Sequence, residues 1–470
     1  MKIRTFKYIG IAAIAAISFT SCKKYLEDVQ VNPNAPENVG PKVLLSNVEV
    51  ATFNNYTSGN ARRANILTQH IAGTQFQTQA IQQYIILEGD ILSEWKVAYT
   101  GALVNAQIII DKYGAANPYY DGIAKILKAM NLGLTTDMWG DIPNKEALQG
   151  LDLNITPHYD SQESVYNNIQ QLLSEAIADL QKPLSANALV PAEDDYIYGG
   201  DAKKWIAASY VLKARYANRL SKRSPGQSAT DALNYLASAY TNGFTDNGAD
   251  LQAKFGAVAA ESNQWAAFDG ERKDYIKMGA FLVDKMKASS DPRLPFYAKP
   301  VNGNYVGADL ANPDPTTSSG IGSYTSGFTL PLLSYAEAKF IEAECKLRNN
   351  DAPGAATAHN EAVKASVLAV TGASNAVYEA ANATETGATI SLSKIINQKY
   401  VALFTQVETW TDWRRTDLPA LTPNPSASLP AIPRRLPTPV DERTYNPNAT
   451  VITNLLTRTW FDQYSNYTEP

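Results

Sequence analysis

The chain has 470 residues, 45% hydrophobic and 19% charged, with a formal net charge of −5. These are globular proportions, enough for one large or two fused cores, and the acidic balance argues against an electrostatic nucleic-acid binder. No apolar run after Cys22 reaches the ~18 residues of a membrane-spanning helix.

The chain opens with Lys2, Arg4 and Lys7, then a short apolar run from Tyr8 to Phe19 that ends at Thr20-Ser21-Cys22. A basic start, a brief apolar stretch and small residues at its end make a secretory signal. Small residues directly before a cysteine resemble the bacterial lipobox, in which the thiol is lipidated and the mature chain begins at that cysteine. Phe19 stands where Leu is usual. The expected layout is a signal peptide over 1–21, lipidation at Cys22, a flexible Asn- and Pro-rich tether over 22–41, and a single domain over 42–470. The alternative is an ordinary signal peptide whose cleavage site falls near a cysteine. With Cys22 lipidated, Cys345 has no partner and a disulfide scaffold is excluded. Cys345, beside Ala343 and Leu347 in a predicted helix, reads as a small buried residue.

Helical periodicity then dominates. Val43 to Thr57 forms a first helix, with Leu44, Val48 and Ala51 on one face. Ser93 caps a helix through Trp95, Tyr99, Ala102, Ala106 and Ile109. Asn117-Pro118 opens another through Tyr120, Ile123, Leu127, Met130 and Leu134. Asp160 and Glu163 have capping-box spacing before Val165, Ile169, Leu172, Ala176 and Leu180. Asp201 caps a helix carrying Trp205, Ser209, Leu212, Tyr216 and Leu220. All these gaps are three or four residues. Ser334 and Glu337 repeat the capping box before Phe340, Ala343 and Leu347, and Pro353 to Val370 follows a turn at Asn349–Asp351. Ala343, Ala355 and Ala362 fall at the close-packing positions of a tetratricopeptide repeat, although Lys339, Glu342 and Lys346 stand where large apolar residues are wanted. Helix pairs are thus expected at 93–137, 160–221 and 334–370, with a final helix from Ser393 to Trp410. The fold class is mostly α, with tetratricopeptide-like pairs as the scaffold.

Between the second and third pairs, about 241–333, Gly, Pro, Asn, Ser and aromatic residues interrupt the pattern, leaving one helix near Tyr275 to Ala288. A long irregular insert in a helical scaffold is a place for function. The chain holds 26 Tyr and 7 Trp against 3 His. Tyr and Trp combine a flat apolar face with a polar edge, suited to stacking on sugars or peptides, although many pack between helices. Asn263, Trp265, Phe268, Arg272, Asp274, Tyr275, Tyr297, Tyr305 and Tyr324 are the candidate ligand-binding residues, since amides and charges beside rings make a polar-ligand site. The competing role for Trp265 and Phe268 is to fix the insert on the scaffold.

Other chemistry is poorly supported. His70, His158 and His359 are far apart and no zinc motif is present, so neither a metal nor a cofactor is expected. There is no GxSxG elbow and no phosphate-binding glycine loop. Glu193, Asp194 and Asp195 are the densest carboxylates and the only basis for a surface glycosidase, against a solvated loop beside the Asp201 cap. Asp412-Trp413-Arg414-Arg415 and Arg434-Arg435 read as structural ties for a Pro-rich tail.

Seven stretches in order carry a resemblance. They are CKKYLEDVQVNPNAPENV from Cys22, DMWGDIPNKEAL from Asp137, DDYIYGGDAKKWIAASYVLKARYANRLSK from Asp194, DPRLPFYAKP from Asp291, SYAEAKFIEAE from Ser334, YVALFTQVETWTDWRRTDLP from Tyr400 and IPRRLPTP from Ile432. Together they resemble the SusD/RagB family of nutrient-binding outer-membrane lipoproteins, in its SusD-like branch. Asn144 replaces the family's usual Tyr, and Thr438 its usual aromatic. The resemblance implies no catalysis. It implies a lipid-anchored protein on the outer membrane, facing the exterior, that captures a glycan or oligosaccharide and passes it to a SusC-like TonB-dependent transporter. A RagB-type peptide-binding lid is the alternative, and a purely structural lid a further one. The shared motifs are scaffold motifs and transfer no binding residue.

Overall fold

The computed structural model describes residues 39–150 and 153–465. The signal peptide, Cys22 and the tether up to residue 38 lie outside the described residues. In chain order the elements are α1 (Pro41–Thr57), α2 (Gly59–Leu67), β1 (Ile71–Gly73), α3 (Phe76–Gln82), α4 (Leu92–Lys96), a π-helical stretch (Val97–Leu103), α5 (Val104–Tyr113), α6 (Pro118–Trp139), β2 (Ile142–Pro143) and β3 (Tyr159–Asp160). Then come α7 (Gln162–Leu180), α8 (Ala202–Arg219), α9 (Pro225–Thr241), β4 (Leu251–Lys254), α10 (Gln264–Glu271), β5 (Ile276–Met278), α11 (Ala280–Ala288), α12 (Leu294–Tyr297), β6 (Ala298–Lys299), β7 (Gly320–Ile321) and β8 (Thr329–Leu333). The chain finishes with α13 (Tyr335–Arg348), α14 (Ala352–Thr371), α15 (Ala376–Asn382), α16 (Leu392–Ala402), α17 (Glu408–Thr416) and α18 (Val440–Tyr445). The fold is mostly α, as the periodicity indicated.

Helix hairpins make the scaffold; the pair at 334–370 forms as expected, and α5 meets α6 and α7 meets α8, but the closest hairpins elsewhere join other neighbours. α6 packs on α7, α8 on α9 and α13 on α14, and α9 in turn packs on α13. α9 itself was missed, although Ala229, Ala232, Leu236 and Ala239 recur at gaps of three and four and are its buried face; three of the four are alanine, which is easily passed over as apolar. Close approach sets the spacing between hairpins. A Cβ on Gly133 of α6 would sit 2.0 Å from the Tyr216 hydroxyl of α8, so only glycine admits that ring. Ala343, Ala355 and Ala362 are all fully enclosed in the third hairpin, where small residues let the helix axes approach. Lys339 and Lys346 are paired there with carboxylates: Glu342 lies 2.6 Å from each lysine, and Glu361 lies 2.6 Å from Lys339.

The caps follow the sequence with shifts. Asp201 accepts from the Lys203 and Lys204 amides, and Ser334 accepts from that of Glu337 at 3.2 Å. Glu337 does not close the box; it turns to Arg215 instead. Ser161, not Asp160, caps α7, because Asp160 takes the Asn144 and Lys145 amides. Ser93 caps nothing and bonds Glu94; α4 begins behind Ile91. The expected final helix is two, α16 and α17, broken where Thr405 takes a φ of +77°. Cys345 is enclosed, and burial pushes its thiol up to about 11. His70 and His359 are buried as well, and burial lowers them to about 3 and about 4. Both are neutral core residues.

The scaffold's centre is charged. Arg215 forms a two-pronged pair with Glu337, including a 2.6 Å contact. Arg219 reaches Glu408 at 2.8 Å and Asp137 at 2.9 Å. Lys399 meets Asp412 at 2.7 Å, and Arg415 holds both Asp412 and Glu344. All these side chains are nearly or fully buried. The Asp412–Arg415 motif is therefore structural. So is Arg434, which ties Asp462 and Asp417 of the tail. Burial would raise the carboxyls, but Arg219 and Arg215 hold Glu408 below its usual range. Lys399 and Arg415 do the same for Asp412, and Arg415 and Arg348 for Glu344.

Two measurements check this network. Glu408→Gln leaves Arg215 and Arg219 short of an anion and is expected to lower unfolding free energy by about 3–5 kcal/mol in urea titrations. Glu408, Asp412 and Glu344 have folded values below the unfolded carboxylate range near ~4, so the unfolded chain binds their protons first as pH falls. The stability they contribute is complete above about pH 5 and is lost below about pH 4. Urea midpoints at pH 7, 5 and 3 are expected to be similar at the first two and sharply lower at the third. A midpoint at pH 3 equal to that at pH 7 counts against the network.

Candidate functional site

The insert is attached at both ends to this scaffold. β4 and β8 pair antiparallel, Lys254 opposite Thr329. Asp250, just before β4, accepts the first amide of α13 from Tyr335 at 2.7 Å. Within the insert, β5 pairs antiparallel with β1, Gly73 opposite Ile276. The ladder continues as the Thr74 amide donates to the Tyr275 carbonyl at 2.9 Å, and the Thr78 hydroxyl donates to the same oxygen. This short ladder brings Phe76 beside Tyr275. Their rings stack with centroids 5.0 Å apart at 26°.

Phe268 of α10 meets Tyr275 edge-on at 6.2 Å. Arg62 of α2 lies 4.1 Å over the Phe268 ring and donates to the Gln264 carbonyl. Burial pushes Arg62 down to about 10, which leaves it charged at neutral pH. Arg272 lies 5.3 Å from the same ring. Asp274 pairs with Lys277 at 2.7 Å. These residues form one surface: rings stacked outward, with cations and a carboxylate at the edge.

Phe76 is the exposed end of that stack. It is 69% exposed and holds a φ of +45°. A bulky residue in the left-handed region costs ~1–3 kcal/mol, and such strain collects at ligand-contacting sites. An exposed, strained ring contributes nothing to the core. At the far end of α3, Gln79, Gln83, Asn312 and Ser426 line a cleft of about 310 Å³. Rings at one end of the helix and amides at the other offer stacking together with directional hydrogen bonds.

The nine sequence candidates divide. Phe268, Arg272, Asp274 and Tyr275 come together on this surface. Asn263 caps α10, accepting the Trp265 amide and donating to the Gly327 carbonyl. Trp265 and Tyr297 are fully enclosed. They pack on Phe404 at 6.0 and 4.8 Å, so they join insert to scaffold and present no ring to a ligand. Tyr324 packs on Tyr297 at 5.2 Å. Tyr305 lies apart, its carbonyl accepting from Lys287. Phe76 and Arg62 were not read from sequence, since nothing local marks residues some 200 positions from the insert.

The carboxylate cluster is not a solvated loop throughout. Asp195 is buried and accepts from the Ile197, Tyr198 and Gly200 amides and from the Trp205 indole. Asp194 accepts from the Tyr120 hydroxyl at 2.7 Å. Their oxygens hold the loop together. Among the described residues, no group of three metal-ligating side chains converges and no helix is long and apolar enough to cross a membrane.

Stacked helix hairpins that display an aromatic, amide-flanked insert define the class: a helical scaffold protein with a ligand-type surface. A family model described as "Starch-binding associating with outer membrane" matches residues 33–439, and the chain belongs to this SusD-like family. A chitin-binding SusD homolog from Flavobacterium johnsoniae is similar at 24% identity over 89% of this chain and 98% of its own, with a TM-score of 0.77. A SusD/RagB family protein from Bacteroides thetaiotaomicron is similar at 23% identity over 91% and 100%, with a TM-score of 0.73. A SusD homolog from Bacteroides fragilis gives 23%, 90%, 100% and 0.74. At these identities the structural likeness carries the fold alone. No curated protein matches the chain.

Proposed function

We propose that this protein is a non-catalytic, glycan-binding lipoprotein of the outer-membrane surface. It captures an oligosaccharide on the Phe76–Tyr275 platform and passes it to a SusC-like TonB-dependent transporter. The observation that carries the reading is Phe76, exposed and strained, stacked on Tyr275 at one end of α3, with an amide-lined cleft at the other. A sugar ring has apolar C–H faces and a rim of hydroxyls. The ring stack meets the faces, and the amides with Arg272, Asp274 and Lys277 meet the hydroxyls. The family's starch-binding description and the chitin-binding relative support a glycan over a peptide. An open platform desolvates only part of a ligand, so capture is weak and reversible, which suits transfer to a transporter.

The membrane attachment rests on Cys22. Each buried lipid CH₂ contributes ~0.8 kcal/mol, so more than one acyl chain is needed for stable anchoring. The tether up to Pro41 then gives the platform reach over a transporter's mouth, with the domain over 42–470 as the lid.

Two experiments test this. Calorimetry of the mature chain with maltooligosaccharide and chito-oligosaccharide series is expected to show binding to at least one. Phe76→Ala and Tyr275→Ala are each expected to weaken it about tenfold without changing the thermal melt. Binding unchanged in both variants sinks the platform, and hydrolysis of either series would revive the glycosidase reading. Mass spectrometry of the membrane-extracted protein is expected to find acyl chains on Cys22, with Cys22→Ser released into the soluble fraction; an unmodified Cys22 overturns the anchor.

A further inference from the structure

A second concavity shares α10 with the inner end of the platform's ring stack. It is a groove of about 580 Å³ between α1 and the segment 254–264, lined by Val50, Asn54, Tyr196, Phe255, Glu261 and Gln264, among others. That volume is within the ~300–1,000 Å³ of ligand pockets. Exposed apolar residues are concentrated on and around it. Val50 is 54% exposed and Tyr196 43%, and both line it; Val258, in the same segment, is 58% exposed and Phe328, whose carbonyl accepts the Phe255 amide, 64%. Large apolar side chains grouped on a surface mark contact sites.

The groove is built, not incidental. Its Tyr196 wall is fixed to α1 twice: the Tyr196 amide donates to the Glu49 carboxylate at 2.7 Å, and the Ser46 hydroxyl donates to the Asp194 carbonyl at 3.0 Å. Lys254 closes it below, donating to the Ile197 carbonyl at 3.1 Å. Asn54, Ser262, Glu261 and Gln264 place amides, a hydroxyl and a carboxylate beside the Tyr196 and Phe255 rings. The chemistry is the same as on the platform: a flat apolar face beside directional polar groups.

The two places share α10. Gln264 lines the groove and Phe268 backs the platform behind Tyr275, and residues four apart lie on one helix face, about 6 Å along the axis. Arg62 joins them physically, donating to the Gln264 carbonyl while covering the Phe268 ring. We propose that the groove is a second subsite for the same oligosaccharide, seating a sugar ring between Tyr196 and Phe255 while another unit stacks on the platform. The ligand class is therefore an extended chain of several sugar units. This rests on the platform reading.

The test uses the mature chain with each sugar series, from disaccharide to hexasaccharide. A hexasaccharide in the series that binds is expected to bind about tenfold more tightly than the disaccharide, since the second contact becomes intramolecular. Tyr196→Ala and Gln264→Ala are each expected to abolish that length dependence and leave disaccharide affinity unchanged. Tyr275→Ala is expected to weaken disaccharide and hexasaccharide alike. Length dependence retained in both groove variants overturns the second subsite and leaves the platform standing. Disaccharide affinity retained in both Tyr275→Ala and Phe76→Ala overturns the platform instead. Peptides that bind in place of the sugars and are lost in Tyr196→Ala overturn the glycan assignment of the groove.

Discussion

The fold depends on the buried charge lattice at the junction of α6, α8, α13, α16 and α17. A hydrophobic interface tolerates sliding; a guanidinium facing a carboxylate in a dry interior does not. Arg215 and Arg219 lie one turn apart on α8 and select Glu337 from α13, Glu408 from α17 and Asp137 from α6. Arg415 and Lys399 repeat the arrangement around Asp412 and Glu344. Hydrophobic side chains of similar volume would be as stable or more so. What the charges add is a single set of helix registers, because any other leaves an ion buried alone.

The same lattice reaches the insert that carries the proposed ligand surface. Arg215 donates to the Leu332 carbonyl at 2.7 Å, on the last strand of the insert, as well as to Glu337. One guanidinium thus fixes both the third hairpin and the exit of the insert. At the entry, Asp250 receives the Tyr335 amide at the start of that same hairpin, and burial pushes its carboxyl up to about 7. Trp265 and Tyr297 complete the attachment by packing on Phe404, four residues before Glu408. The insert is irregular in sequence but is held at several points by rigid elements.

Much of the scaffold was legible in the sequence, because helix period and capping residues are local. α6, α7, α8, α13 and α14 were all expected close to where they occur. The pairing of α13 with α14 was legible too; that of α6 with α7 and of α8 with α9 was not, nor was the packing of one hairpin on another, which rests on contacts such as Gly133 of α6 against Tyr216 of α8 that no local pattern records. The candidate surface was half legible for the same reason. Phe268, Arg272, Asp274 and Tyr275 lie within eight residues, and their composition marks them. Phe76 joins them only through a three-residue ladder between segments some 200 residues apart. Trp265 and Tyr297 misled because an aromatic residue that fastens a loop and one that meets a ligand share the same composition. Only Phe404, far down the chain, separates the two roles.

The order of the stack explains how a loop-built surface gains precision. Arg62 covers Phe268, Phe268 meets the edge of Tyr275, and Tyr275 supports Phe76. Each ring inward has one side already taken, so only the outer end remains for a ligand. A sugar ring placed there extends a stack that the protein has already ordered, and little further side-chain entropy is lost on binding. The strain at Phe76 fits this logic: the left-handed backbone turns the ring out onto Tyr275 at the start of α3, instead of inward where the core would absorb it. Since the scaffold's charges are paired inward and these rings stand outward, Phe76, Tyr196 or Phe255 can change without touching the lattice that holds the fold.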